Sequence, residues 1–273
     1  MKESLLSMLQ DPGNLNVVFQ PIFELVDRPN RIHALEASLR GPLGTHFESE
    51  ALLLEYVRRK NAEAVIDREC VRAVFAAAQQ LPADVRIHIK VHIATLMQNP
   101  GFVGFFEMQA KNYCLATERF TVELIEGDTP DVAGTFVVAV DAFRKAGTRI
   151  GLNNVGAVNS ACRLLVERTI DYWKLAPYLA QQVKDDFRRR AMVDSILTLS
   201  KSLGSSVVSD GVSTEESLAT LALMGVQLVQ TNMLCRPIPV ETLLRSGVLL
   251  GSLVEPSREG LADAGQSARR SVQ

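Results

Sequence analysis

Eight short runs rich in Val and Ile alternate with longer segments of helical periodicity along most of this chain. The runs are VVFQPIFEL (17–25), RIHALEASL (31–39), RIHIKVHI (86–93), FTVELIE (120–126), RIGLNN (149–154), DYWKLA (171–176), SSVVSD (205–210) and VQLVQT (226–231). Several are bounded by Gly, Pro or Asn, as strands are. Between them lie helical patterns such as EALLLEYVRRK, EAVIDRECVRAVFAAAQQL and DVAGTFVVAVDAFRKAG, the last closed by Gly147. KDDFRRRAMVDSILTLSKSLG follows the same logic, with acids in its first turn and Gly204 at its end. Alternation of this kind demands βαβ units and a mostly parallel sheet. Eight units without a sequence-level break predict an α/β fold closed into a (β/α)8 TIM-like barrel rather than an open doubly wound sheet. No GxGxxG follows any strand, so a dinucleotide site loses its main support.

Length and composition fit one such barrel. Of 273 residues, 1–14 read as an N-terminal extension, 15–250 as the barrel domain and 251–273 as a flexible tail poor in large apolar residues. A hydrophobic content of 47% excludes a wholly disordered chain, and a net charge of −2 argues against nucleic acid as a partner. No run approaches the roughly 18 apolar residues a spanning helix needs, so no membrane partner is expected. The N-terminus carries no signal-peptide pattern, and the expected location is the cytoplasm. Cys70, Cys114, Cys162 and Cys235 show no CxxC spacing and read as reduced, packed thiols. The basic runs Arg188–Arg190 and Arg58, Arg59, Lys60 read as solvated helix ends.

A barrel gathers its chemistry where the C-terminal ends of its strands converge. Strand by strand those positions hold Gln20, then Glu36 and Arg40, Lys90 or His92, Glu123 and Glu126, Asn153 and Asn154, Lys174, Asp210 and Gln230. Any one of them alone reads as a strand meeting water. Polar groups interrupting apolar runs at the same end of nearly every strand read as one pocket, because burying each singly is costly. His88 and His92 share a face of the third strand and read as packed or hydrogen-bonded side chains rather than ligands.

These residues fall in an order that resembles the EAL-domain family, the phosphodiesterases of the bacterial second messenger cyclic di-GMP. The resemblance runs over roughly 16–245. It rests on FQPIF (19–23), LEASLRG (35–41), ELIE (123–126), NNVGAV (153–158), YWKLA (172–176), SDGVST (209–214) and QTNMLCRPIP (230–239). It departs from the family pattern at Ser38, at Ala176 after the lysine, at Val158 where a glycine is usual, and at both asparagines of NNVGAV, where aspartates are usual.

The resemblance implies a barrel whose mouth binds two Mg²⁺ or Mn²⁺ ions that activate water against a phosphodiester. Carried over, the metal positions are Glu36, Glu123, Asn153 and Asp210, with Lys90 where an asparagine ligand is expected. The catalytic positions are Lys174, Asp210 and Glu126, and the nucleotide contacts are Gln20, Glu36, Arg40, Asn153, Asn154, Lys174 and Gln230. Two lost aspartates and one gained lysine leave the pocket three units more positive than in an active member. Each unit is worth about 4 kcal/mol against a cation about 4 Å away at an effective dielectric near 20, before solvent screening reduces it. The metal and catalytic positions therefore read as vestigial, no cofactor is expected, and Lys90 is expected to pair with Glu36 and Glu123 where a metal would sit.

The resulting reading is a degenerate EAL-like domain without phosphodiesterase activity. It would act as a regulator that binds cyclic di-GMP and/or a protein partner, with a homodimer as the family's usual assembly. The alternative is an active enzyme releasing linear pGpG from a rearranged Mg²⁺ or Mn²⁺ set of Glu36, Glu123, Asp210 and amide oxygens. No sensory, cyclase or output segment is legible, so the regulated protein is expected on another chain.

Overall fold

A computed structural model describes residues 15–25, 31–125, 134–157, 165, 168–247 and 249. The proposed N-terminal extension, the tail, Glu126 and Val158 lie outside the described residues. Eight strands close into a barrel in the order β2–β3–β4–β5–β6–β7–β8–β1, with β1 returning to β2. They are β1 (Asn16–Glu24), β2 (Ile32–Arg40), β3 (Ile87–His92), β4 (Phe120–Ile125), β5 (Arg149–Val155), β6 (Tyr172–Leu175), β7 (Ser206–Asp210) and β8 (Leu228–Gln230). The helices are α1 (Glu50–Arg59), α2 (Glu63–Ala78), α3 (Ile93–Gln98), α4 (Phe102–Asn112), α5 (Gly134–Lys145), α6 (Pro177–Ala180), α7 (Phe187–Ser202), α8 (Glu215–Met224) and α9 (Val240–Arg245).

The expected barrel is therefore present, and β2 through β8 are parallel throughout. The departure is β1, which runs antiparallel to both β2 and β8. A two-residue strand, β9 (Ile238–Pro239), adds to β1 as a short antiparallel flank. The link from β1 to β2 is too short for the crossover that a parallel pair needs, so the two form a hairpin.

Two apolar layers hold the barrel. Between strands and helices, Phe75 stacks on Phe120 at 4.3 Å between centroids, and Phe106 meets both rings edge-on at 5.0 and 5.8 Å. Trp173 and Phe143 are fully buried in the same layer. Inside the barrel a smaller cluster comprises Ile22, Ala34, Tyr172, Val208 and Leu228. Side chains alternate along a strand, so residues two apart share a face. Stepping two positions from that inner cluster reaches Gln20, Glu36, Lys174, Asp210 and Gln230. On these five strands the inner face thus changes from apolar to polar at one level, whereas β3 and β4 carry His88 and Thr121 two positions before Lys90 and Glu123.

Caps follow the chemistry of the sequence. The Asp186 carboxylate accepts from the backbone N–H groups of Arg188 and Arg189 at the start of α7, and the Thr214 hydroxyl accepts from Ser217 N–H at the start of α8. Gly225 ends α8 at φ 90°, a conformation glycine adopts without steric cost. Phe120→Ala should lower unfolding stability by about 3–5 kcal/mol in chemical denaturation, because the ring leaves a cavity among packed aromatics. A loss below about 1 kcal/mol would mean that the Phe75–Phe106–Phe120 cluster is not packed as described.

Candidate functional site

At the level where the inner face becomes polar, strand register sets charged side chains side by side. Gln20 is the cross-strand partner of Glu36, Lys90 of Glu123, and Asp210 of Gln230. Glu36, Glu123 and Lys174 are almost wholly buried, with 4%, 2% and 2% of their surfaces exposed. Lys90 keeps 16% of its side-chain surface exposed.

The Lys90 ammonium lies 2.8 Å from Glu36 Oε1, and 2.9 and 3.0 Å from the two oxygens of Glu50. Its third neighbour is Ser38 Oγ at 3.5 Å, and that hydroxyl in turn donates to Glu50 Oε2 at 3.2 Å. The Lys174 ammonium contacts Glu36 Oε2 and lies 2.9 Å from Glu123 Oε2. The Asn153 amide donates to Glu123 Oε2 at 3.1 Å, and His88 Nδ1 meets Glu123 Oε1 at 2.8 Å. Ammonium and carboxylate alternate along the series Glu50, Lys90, Glu36, Lys174, Glu123. All four oxygens of Glu36 and Glu123 are engaged.

Electrostatics reflect the burial. Burial pushes the Glu123 carboxyl up to about 7, with Lys90 opposing the rise and Asp210 adding to it. Burial lowers Lys174 to about 8, with Asp210 opposing the fall. Burial also works against the Lys90 ammonium, but the Glu50 and Glu123 carboxylates outweigh it and hold Lys90 above its ordinary value. His88 is lowered to about 3 by burial and by Arg149 and Arg86, which keeps its ring neutral. A neutral ring whose Nδ1–H donates to Glu123 suits a carboxylate deep in the barrel.

Several expectations are met and others corrected. Gln20, Glu36, Lys90, Glu123, Asn153, Lys174 and Gln230 do converge. Lys90 takes Glu36 as expected, but its second carboxylate is Glu50 and not Glu123, whose oxygens receive Lys174, Asn153 and His88 instead. Asp210 stands half-buried at the rim, and its charge bears on Lys90, Glu123 and Lys174. Asn154 does not join the cluster. It is exposed at φ 55°, where a pairing irregularity between Leu152 and Val155 interrupts the alternation of β5. Arg40 donates to the Glu48 carbonyl at 3.0 Å, outside the carboxylate cluster.

Gln20 is consumed within the fold. Its amide nitrogen donates to Asn232 Oδ1 at 3.1 Å and to the Cys235 carbonyl at 2.9 Å, and its oxygen accepts from Gln230 at 2.9 Å. His92 is hydrogen-bonded as expected, its Nδ1 2.8 Å from Asp67 Oδ1. Asp67 also accepts from the His92 backbone at 2.9 Å and from Thr95 Oγ1 at 2.5 Å, tying α2 to the end of β3.

The residue that sequence reasoning missed is Glu50. An acid opening a helix reads as a complement to the helix dipole, and here it also supplies the carboxylate that compensates Lys90. Two divalent ions do not fit these residues as they stand, because both Glu36 and Glu123 already receive ammonium, imidazole or amide donors. Among the described residues no group of three or more His, Cys, Asp or Glu side chains is placed to hold a metal ion.

The EAL domain profile matches residues 3–237. The chain belongs to the EAL domain family. It is 25% identical over 225 residues, 82% of its length, to the blue light- and temperature-regulated antirepressor BluF of Escherichia coli K12. It is 29% identical over 103 residues, 38% of its length, to a probable cyclic di-GMP phosphodiesterase, PdeN, of the same organism. The chain spans 54% of the first relative's length and 20% of the second's. BlrP1 of Klebsiella pneumoniae, solved as a calcium and cyclic di-GMP complex, superposes with a TM-score of 0.75 at 25% identity. That match covers 84% of this chain and 57% of the BlrP1 chain.

The raised Glu123 carboxyl makes a signed prediction. Its folded-state pKa, about 7, lies above the ordinary 4.5. The stabilisation from holding that proton is therefore complete below about pH 4.5 and is lost as pH rises through about 7. Melting profiles of wild type and Glu123→Gln should show the wild-type margin shrinking across that window. A margin that grows with pH would contradict the assignment.

Proposed function

We propose that this chain is an EAL domain that regulates through binding to a protein partner and does not hydrolyse cyclic di-GMP. The observation that carries the reading is the engagement of all four oxygens of Glu36 and Glu123 by Lys90, Lys174, His88 and Asn153. A two-metal mechanism needs those oxygens as ligands, and it needs anionic charge that two lysines cancel. Asn153 supplies a neutral amide where a bridging carboxylate would be required, and Asn154 stands exposed outside the cluster.

The same geometry favours a protein over the nucleotide as the bound partner. A phosphodiester seeks unspent cations, and each ammonium here already lies between carboxylates. The Gln20 amide, a base or ribose contact by resemblance, has both its nitrogen and its oxygen committed inside the fold. Of the nucleotide contacts carried over, Arg40 is the one charged group outside the carboxylate cluster. BluF, whose name describes antirepression, supports a regulatory rather than a hydrolytic role.

Turnover of cyclic di-GMP, assayed at high protein concentration with Mg²⁺ or Mn²⁺, should release no sustained linear product. Metal-dependent product that disappears in Glu36→Ala would overturn the non-hydrolytic reading. Calorimetric titration with cyclic di-GMP should give no heat with Mg²⁺, with Mn²⁺ or with EDTA. Binding that survives EDTA and is lost in Arg40→Ala would replace the protein-binding reading with a metal-independent nucleotide receptor.

A further inference from the structure

We propose that Lys90 is the resident cation of this pocket. Its ammonium holds Glu36 against Glu50 as a divalent ion would, and its presence is what keeps Mg²⁺ and Mn²⁺ out. The inference deepens the non-hydrolytic reading and rests on it, but it concerns cation occupancy, which is measured separately from turnover.

The first support is saturation. An ammonium has three N–H bonds, and Lys90 Nζ has three neighbours within reach: Glu36 at 2.8 Å, Glu50 at 2.9 and 3.0 Å, and Ser38 Oγ at 3.5 Å. The second is compensation. Glu36 already receives Lys174, so a further lysine on the inner face of β3 would stand uncompensated without another carboxylate. Glu50, the first residue of α1, provides it from outside the ring of strand ends, with 21% of its side chain exposed. The two residues therefore act as a pair: Lys90 neutralises carboxylates, and Glu50 makes burying Lys90 tolerable. The third is position. The register sets Lys90 beside Glu123 on β4 and its strand beside Glu36 on β2, so a metal entering between those carboxylates would meet this ammonium first. Lys174, in contact with Glu36 and 2.9 Å from Glu123, adds a second positive charge at the same carboxylates.

The test follows Mn²⁺ binding to the whole chain by thermal shift and by the electron paramagnetic resonance signal of free Mn²⁺. Millimolar Mn²⁺ should move the wild-type melting temperature by less than about 1 °C, because a ligand that does not bind the folded state does not stabilise it. Lys90→Met and the shorter Lys90→Asn should melt below wild type. Mn²⁺ should then raise their melting temperatures by several degrees, roughly the shift expected for a bound ion at a hundredfold excess over its dissociation constant. EDTA should reverse that gain, and the added change Glu36→Gln should abolish it.

Glu50→Gln is the control. It should melt lower without responding to Mn²⁺, because Lys90 remains in place. Wild type that takes up Mn²⁺ overturns the inference, and so does a folded Lys90→Met or Lys90→Asn that ignores the ion. If both variants fail to fold, the wild-type arm still decides: Mn²⁺ uptake refutes the inference, and its absence together with a silent Glu50→Gln supports it. Wild type that hydrolyses cyclic di-GMP defeats the functional reading. Wild type that does not, beside Lys90 variants indifferent to Mn²⁺, defeats this inference alone.

Discussion

The buried charges of the site depend on an alternation, Glu50, Lys90, Glu36, Lys174, Glu123, threaded across the mouth of the barrel. A buried carboxylate is expensive unless a cation stands beside it, and removing one partner from a buried pair commonly costs about 3–5 kcal/mol. Here each ammonium touches two carboxylates, and Glu36 touches two ammonium groups. No single member can be changed without exposing the mismatch to its neighbours. That mutual dependence explains how Glu36 and Glu123 stay buried beside Asn153, which brings an amide and no charge.

The barrel supplies the positions and the helices supply the correction. Inward-facing residues of β1, β2, β6, β7 and β8 are mainly apolar at one level and polar at the next, so the inner cluster of Ile22, Ala34, Tyr172, Val208 and Leu228 forms a floor beneath the charged groups. Above that floor the strand ends alone would hold Lys90 with too few carboxylates. The first residue of α1 turns inward to complete the set, with Ser38 bridging β2 to it. Beside it, Asp67 ties α2 to His92, two residues beyond Lys90, and fixes the end of the strand that carries the lysine.

Much of this was legible in the sequence because the signals are local. Val- and Ile-rich runs of period two mark the strands, and terminal glycines mark the helix ends. Charged residues at the ends of apolar runs mark Glu36, Glu123 and Lys174. Strand direction is not encoded by period two, although the short link after Glu24 rules out a crossover and could have revealed the antiparallel β1. Glu50 was hidden because an acid at a helix start has a sufficient local explanation. Asn154 departs from the strand-end pattern because an interruption of strand pairing, which residue types alone do not announce, sends it to solvent while Asn153 stays inside. The pairing of Lys90 with Glu50 instead of its register neighbour Glu123 depends on where Lys174 reaches across the barrel, a contact between residues distant in the chain.

A crystal structure grown in millimolar Mn²⁺, with anomalous data collected at the manganese edge, tests the central claim most directly. The account predicts no anomalous peak between Glu36 and Glu123, with the Lys90 and Lys174 side chains resolved in contact with those carboxylates. Manganese peaks at those carboxylates, with either lysine displaced, would contradict it.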